Sequence, residues 1–192
     1  MLSEFEKTRL AVRELVLKAE LITSDDFYRI LRNHHEFLQE GGAGGYWQTF
    51  YIENLIFGTY HGSFADAHIL KKQAKISFRN LSKVNLEALF MPYADFSCVY
   101  AEGKDWKKSD LEGSLMIDSL LNHCNFKEAD LQATDFSRSE LRYADLSYAN
   151  LTNADFERCD LTGADLRSAV IDNTTSFKNA ILKDTLLPPA FQ

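Results

Sequence analysis

A large apolar residue returns every five positions over most of the chain. The sets read Ala129-Asp130-Leu131, Thr134-Asp135-Phe136, Ala144-Asp145-Leu146, Ala149-Asn150-Leu151, Ala154-Asp155-Phe156 and Ala164-Asp165-Leu166. Counted in fives from Leu81 to Ile171 there are 19 central sites, and 14 of them hold Leu or Phe. The 39 Leu and Phe in the chain predict about four by chance. The site two before each centre is Ala, Ser, Thr or Cys thirteen times in succession, from Ser109 to Ala169, so a crowded environment selects for small side chains there.

A period of five matches neither the 3.6 of a helix nor the 2.0 of a flat strand. The chain must therefore turn at each repeat, as in a solenoid whose small and large residues face inward and whose other three face outward. Stacked coils satisfy each other's amides, which so short a side cannot satisfy within itself. The phased sets resemble the pentapeptide repeat family over roughly Ile76 to Leu187. The resemblance implies a right-handed quadrilateral β-helix with four repeats per coil, so that residues twenty apart stack on one face. The expected fold is thus mainly β: residues 1–75 form an N-terminal α-helical cap or interaction region, 76–187 the β-helix, and 188–192 a C-terminal tail.

The first 75 residues lack the beat and read as helical. Ser3 and Glu6 form a capping box before Phe5, Val12, Leu15, Val16, Ala19 and Ile22, which predicts a helix from about Ser3 to Leu21. Ser24 caps a second helix with Phe27, Ile30, Leu31, Phe37 and Leu38 on one face, ended by Gly41-Gly42-Ala43-Gly44-Gly45. That glycine run has no following Lys and Ser or Thr, so it reads as a turn rather than a phosphate loop. The aromatic segment Tyr46 to Tyr60 is too apolar to stand exposed. The first coil of a solenoid needs covering, and these residues are placed to supply it.

Repeats near the start depart from the pattern. Met91, Ala101, Trp106 and Met116 stand at centres, and Arg79, Val84, Leu89, Val99 and Lys104 at small sites. Lys104 with Trp106 predicts a corner that opens outward around 101–108. Outward positions nearby are apolar, and Tyr100, Leu115, Ile117 and Leu120 form a candidate partner contact. Three occupants fit it: the N-terminal helices, a second copy in a homodimer, or a foreign protein. Beyond Ile171 the beat slips by one residue, and Pro188 and Pro189 end it.

The −7 net charge lies mostly on the solenoid: 18 acidic against 12 basic residues in 76–187, and 10 against 9 in 1–75. By the resemblance, Asn85, Asp105, Asn125, Asp145 and Asp165 stack in one column. Some relatives with acidic faces mimic duplex DNA and bind DNA gyrase or topoisomerase IV, which makes Asp105, Asp145 and Asp165 a candidate acidic face. Duplex DNA carries a charge about every 1.7 Å, far denser than one column at roughly 4.8 Å per coil, and Arg138, Arg142, Arg158 and Arg167 interrupt the acidity.

Cys98, Cys124 and Cys159 contain no close pair, and no two of His34, His35, His61, His68 and His123 have metal-ligand spacing. The recurring acids share equivalent surroundings, whereas paired-carboxyl catalysis needs unlike ones. No apolar run is long enough to cross a bilayer and no secretory signal opens the chain, so a cytoplasmic location is expected. The expectation is a non-enzymatic protein-interaction module, scaffold or regulator, with no cofactor, no metal and no direct nucleic-acid or membrane contact. The alternative is a DNA-mimicking topoisomerase binder.

Overall fold

The solenoid is built by parallel bridges that join each residue at the position before a centre to its counterpart one coil later, as in Asp110–Asp130, Asp130–Asn150 and Asp135–Asp155. A computed structural model describes residues 3–52, 55–62 and 67–189. Twenty residues separate bridge partners from Lys75–Asp95 to Asn150–Val170, which gives four five-residue sides per coil. The first side is centred on Leu81, Ala101, Leu121, Leu141 and Leu161. Leu86, Trp106, Phe126, Leu146 and Leu166 centre the second, Met91, Leu111, Leu131 and Leu151 the third, and Phe96, Met116, Phe136 and Phe156 the fourth. From Asp155–Ser176 onward the separation is twenty-one, as the inserted residue near Asp172 requires.

Each repeat position has a physical task. The amide of Leu131 donates to Asn150 O one coil later (2.9 Å), and that of Asp130 to Ser109 O one coil earlier (2.8 Å). The Asp or Asn before the centre accepts, through Oδ1, the amide two residues on: Asp130 from Gln132 (3.1 Å), Asp145 from Ser147 (2.9 Å), Asp155 from Glu157 (2.8 Å). That is the Asx turn, and it explains the acid without any charge role. Where the small residue carries a hydroxyl or thiol, it donates to the centre's carbonyl in the preceding coil: Ser109 to Leu86 O (2.8 Å), Thr134 to Leu111 O (2.9 Å), Cys159 to Phe136 O (2.8 Å). Two residues after the centre the backbone turns left-handed, as at Glu128 (φ 61°) and Arg138 (φ 64°). Positive φ at that place alone, with Ala129 N–H donating to Phe126 O (3.0 Å), marks type II turns.

The centres fill the interior. Phe136 and Phe156 stack at 5.1 Å and 4°, and Phe156 on Phe177 at 5.3 Å and 5°. Trp106 is fully buried and stacks on Phe126 at 5.7 Å. The expected outward corner at 101–108 is therefore absent: the indole packs inside against Phe96 and Phe126, Ala101 is also fully buried, and Lys104 sends its ammonium outward toward Ser82 O (3.4 Å).

The N-terminal region mixes helix and strand. Helix α1 spans Glu4–Leu17 with the Ser3–Glu6 capping box in place, and α2 spans Ser24–Phe37 with Thr23, not Ser24, as its N-cap. A π-helical turn at Leu38–Gly42 uses Gly41 at φ 90°. The helical reading fails next: β2 (Tyr46–Ile52) and β3 (Leu55–His61) form an antiparallel hairpin, Tyr46 opposite His61. Aromatic and β-branched residues favour that pleated geometry. One helical turn, α3 (Ala67–Leu70), precedes the solenoid. Strand β1 (Glu20–Leu21) pairs in parallel with β4 (Arg79–Asn80) of the first coil, and Ile22 and Phe27 join the solenoid's core cluster. The side chains of Phe5, Phe50, Tyr51, Ile52, Leu55, Ile56, Phe57 and His68, and tail residues 190–192, lie outside the described residues.

Candidate functional site

Three of the four residues of the apolar patch, Tyr100, Leu115 and Leu120, pack against the chain's own N-terminal elements. Leu115, Ile117 and Leu120 are 2%, 1% and 2% exposed. Leu120, on the first side, packs with Val12 and Val16 of α1 and with Cys98, and Tyr100 adds its half-buried ring to that cluster. Leu115, on the fourth side, meets the hairpin. A Cβ placed on Gly58 of β3 would come within 2.6 Å of Leu115 Cδ1 and 2.9 Å of the Trp47 ring, so a side chain there would have to displace one or both. The structure thus places Leu115 under the hairpin and Leu120 with Tyr100 under α1, while Ile117 is buried on the fourth side.

Polar groups secure the same region. Arg13 of α1 pairs with Glu140 (2.9 Å), which also accepts from Asn122 Nδ2 (3.1 Å). Beneath α1, Asp118 and Arg138 form an ion pair with both side chains almost wholly buried. Burial raises the Asp118 carboxyl above its ordinary range, and Arg138 opposes that rise. On α2, His34 is fully buried. Its Nδ1 accepts from Ala74 N–H (3.0 Å), so Nε2 carries the proton and donates to Pro92 O (2.8 Å). Burial lowers its pKa to about 4.

The second side carries the three acids of the alternative reading. Asp105, Asn125, Asp145 and Asp165 are bridged in succession, so the column exists over these levels. Each Asp or Asn spends Oδ1 on its own turn, accepting the amides of Lys107, Lys127, Ser147 and Arg167. Three of those four donors bring a cationic side chain to the same level. Arg167 also clamps Asp165 through its guanidinium (Nη2–Oδ2 2.7 Å), which lowers that carboxyl's pKa. Charge along the column therefore alternates rather than accumulates.

Two aromatic residues that the sequence reading passed over frame this side. Tyr143 and Tyr148 are each 59% exposed and sit on the left-handed corners to either side of Asp145 (φ 58° and 62°). Tyr143 stacks on His123 (5.2 Å), and Lys127 lies 5.4 Å from the Tyr148 ring centre. Their phase was the available signal, since the position two after a centre points away from the core. The thiols face the opposite fate: burial pushes Cys124 up to about 12 and Cys159 well above its ordinary value, which makes them poor nucleophiles. Among the described residues no group of three or more His, Cys, Asp or Glu is placed to hold a metal ion, and no helix is long and apolar enough to cross a membrane.

Residues 91–166 match the family described as Pentapeptide repeat region. Among solved structures, the chain is similar to HetL, a pentapeptide repeat protein involved in heterocyst differentiation regulation from Nostoc sp. strain PCC 7120, at 27% identity over 61% of this chain and 54% of that one, with a TM-score of 0.37. A pentapeptide repeat protein of the Arabidopsis thaliana thylakoid lumen is 32% identical over 50% and 62% (TM-score 0.21). Full-length QnrB1, a plasmid-mediated fluoroquinolone resistance protein, is 20% identical over 50% and 68% (TM-score 0.22). The chain spans only 54% to 62% of the length of the first two. No curated protein matches the chain.

Proposed function

With residues 91–166 a pentapeptide repeat region, we propose that this chain is a non-enzymatic protein-interaction module whose partner docks on the second side of the solenoid, across Tyr143, Asp145, Tyr148 and Arg167. The supporting observation is exposure. Two tyrosines stand 59% exposed there, whereas the first and fourth sides bear α1 and the hairpin. Tyrosine and arginine dominate binding energy at interfaces, and a backbone fixed by inter-coil bonds adds little ordering cost on association. The N-terminal elements act as a cap: β1 pairs with the first coil's edge, and Ile22 and Phe27 close its interior.

The test is capture of a partner from the native host by the wild type and by the double variant Tyr143→Ala, Tyr148→Ala. Loss of the captured protein with an unchanged unfolding midpoint is expected. Equal capture by both would remove the second side from consideration. The DNA-mimic reading predicts inhibition of gyrase supercoiling. The alternating Asp105–Lys107 and Asp165–Arg167 levels predict no effect at low micromolar protein, and salt-sensitive inhibition abolished by changing Asp105, Asp145 and Asp165 to Asn would reverse the choice.

A further inference from the structure

We propose that the cavity between the β2–β3 hairpin and the solenoid binds a small organic ammonium ion, a protonated or quaternary amine. The cavity holds about 450 Å³, within the range of small-molecule sites. Tyr46 and Trp47 of the hairpin and Tyr93 of the solenoid line it, together with the carboxylates of Glu112 and Asp135; among the described residues no Lys, Arg or His does. Aromatic faces attract an ammonium group through their quadrupole, more strongly where water is excluded.

The repeat makes room for this site. The corner column between the third and fourth sides reads Tyr93, Gly113, Ala133, Asn153, two small residues where other corners carry Arg138, Tyr143 or Arg158. The Tyr93 ring lies over Gly113, where a Cβ would come within 2.7 Å of it. Its hydroxyl donates to Glu112 Oε1 (2.9 Å), so the ring and one carboxylate are fixed together before any ligand arrives.

Asp135 supplies the unsatisfied charge. Its Oδ1 accepts from Ser137 N–H (2.8 Å) and from the Ser137 hydroxyl, and Oδ2 takes no hydrogen bond among the described residues. On the same column Asp95 is bridged to Lys75, whose charge opposes the rise in its pKa. Asp135 instead has Asp155 and Asp118 for charged neighbours, and burial with their repulsion pushes its carboxyl up to about 6. A cation beside Oδ2 would relieve that. Two carboxylates among aromatic rings fall short of the six or more oxygens a calcium ion takes, and they suit a single diffuse positive charge.

Calorimetric titration of the full chain with choline, with n-butylamine, and with 3,3-dimethylbutan-1-ol, the uncharged counterpart of choline, tests this. Saturable binding of at least one amine and none of the alcohol is expected. Asp135→Asn should weaken binding tenfold or more. Tyr46→Ala, at a residue 65% exposed and so tolerant of change, should weaken it several-fold at an unchanged unfolding midpoint. Absence of saturation by either amine, equal binding of the alcohol, or undiminished binding by Asp135→Asn overturns the proposal. Each of these outcomes is independent of whether a protein docks on the second side.

Discussion

The two ends of the solenoid share one backbone plan and differ in what covers them. At the start, Ile76, Leu81, Leu86 and Met91 are fully buried, although their coils depart most from the repeat. Toward the other end the repeat persists, yet the centre Leu182 is 37% exposed and the centres Ile171, Phe177 and Leu187 are only partly buried. Between them, the coils holding Phe126, Phe136 and Phe156 bury their centres without help. Interior burial in this architecture is thus supplied by neighbouring coils, and at the first coil by Ile22, Phe27, Ile30 and Leu31 from outside the repeat. Irregular sequence marks the coils where a second element shares the work.

The largest effect expected lies in the self-sufficient middle. Phe136 is fully buried between Phe126 and Phe156, so Phe136→Ala should cost about 3 to 5 kcal/mol. Gln132→Ala, on an outward position, should stay within about 0.5 kcal/mol. Chemical denaturation of both variants makes the comparison, and equal shifts would contradict the inward assignment.

The junction between the N-terminal helices and the first coil should instead respond to acid. His34 has a folded pKa lowered to about 4 from 6.5. A proton added to Nδ1 would confront the Ala74 amide, so the unfolded chain binds that proton more readily. The stabilisation is then complete above pH 6.5 and is lost as pH falls toward 4, by roughly 3 kcal/mol. Subtracting the pH profile of His34→Gln from that of the wild type isolates this contribution. Asp135, whose carboxyl titrates near 6 with the opposite sign, is present in both and cancels. A flat difference between pH 6.5 and 4 would show that His34 is not held neutral.

Leu120 reports on the lateral contact. Leu120→Ala should cost about 2 kcal/mol with no change in mass by light scattering, because its partners Val12 and Val16 belong to the same chain. Hydrogen exchange in α1 should quicken while the coils around Phe136 stay protected. A fall in mass would assign the contact to a second copy instead.

These contrasts explain what was legible in the sequence. The five-residue period, the small inward sites and the Phe136–Phe156 stack follow from local rules that every coil repeats. The hairpin was not legible, because Tyr46–His61 follows two real helices and its aromatic density fits several burial schemes. Trp106 misled for a related reason: its ring is received by Phe96 and Phe126, and single-site reasoning about bulk does not see those neighbours. Leu115 and Leu120 were recognisable as apolar at outward phases, but which element covers each depends on Gly58 and Val16, far away in sequence. Tyr143 and Tyr148 had a readable phase and lacked only a reason to notice it.

The smallest effect concerns the corners, where covered and open coils use the same left-handed turn. Gly163 (φ 69°) and Ser168 (φ 61°) hold consecutive corners of one coil. A side chain in this conformation costs roughly 1 to 2 kcal/mol, a cost Ser168 already bears and Gly163 avoids. Gly163→Ala should therefore destabilise by about 1 kcal/mol, and Ser168→Ala by less than about 0.5 kcal/mol. Position 163 has a second consequence, since its new Cβ would lie 2.6 Å from the Tyr143 ring and must displace it. The exposed tyrosine can swing aside at small energetic cost, but it would leave its stack on His123. Tyrosine ring shifts in the NMR spectrum should change in Gly163→Ala and not in Ser168→Ala. If docking on the second side depends on where Tyr143 sits, Gly163→Ala should weaken capture of the partner while the fold stays intact.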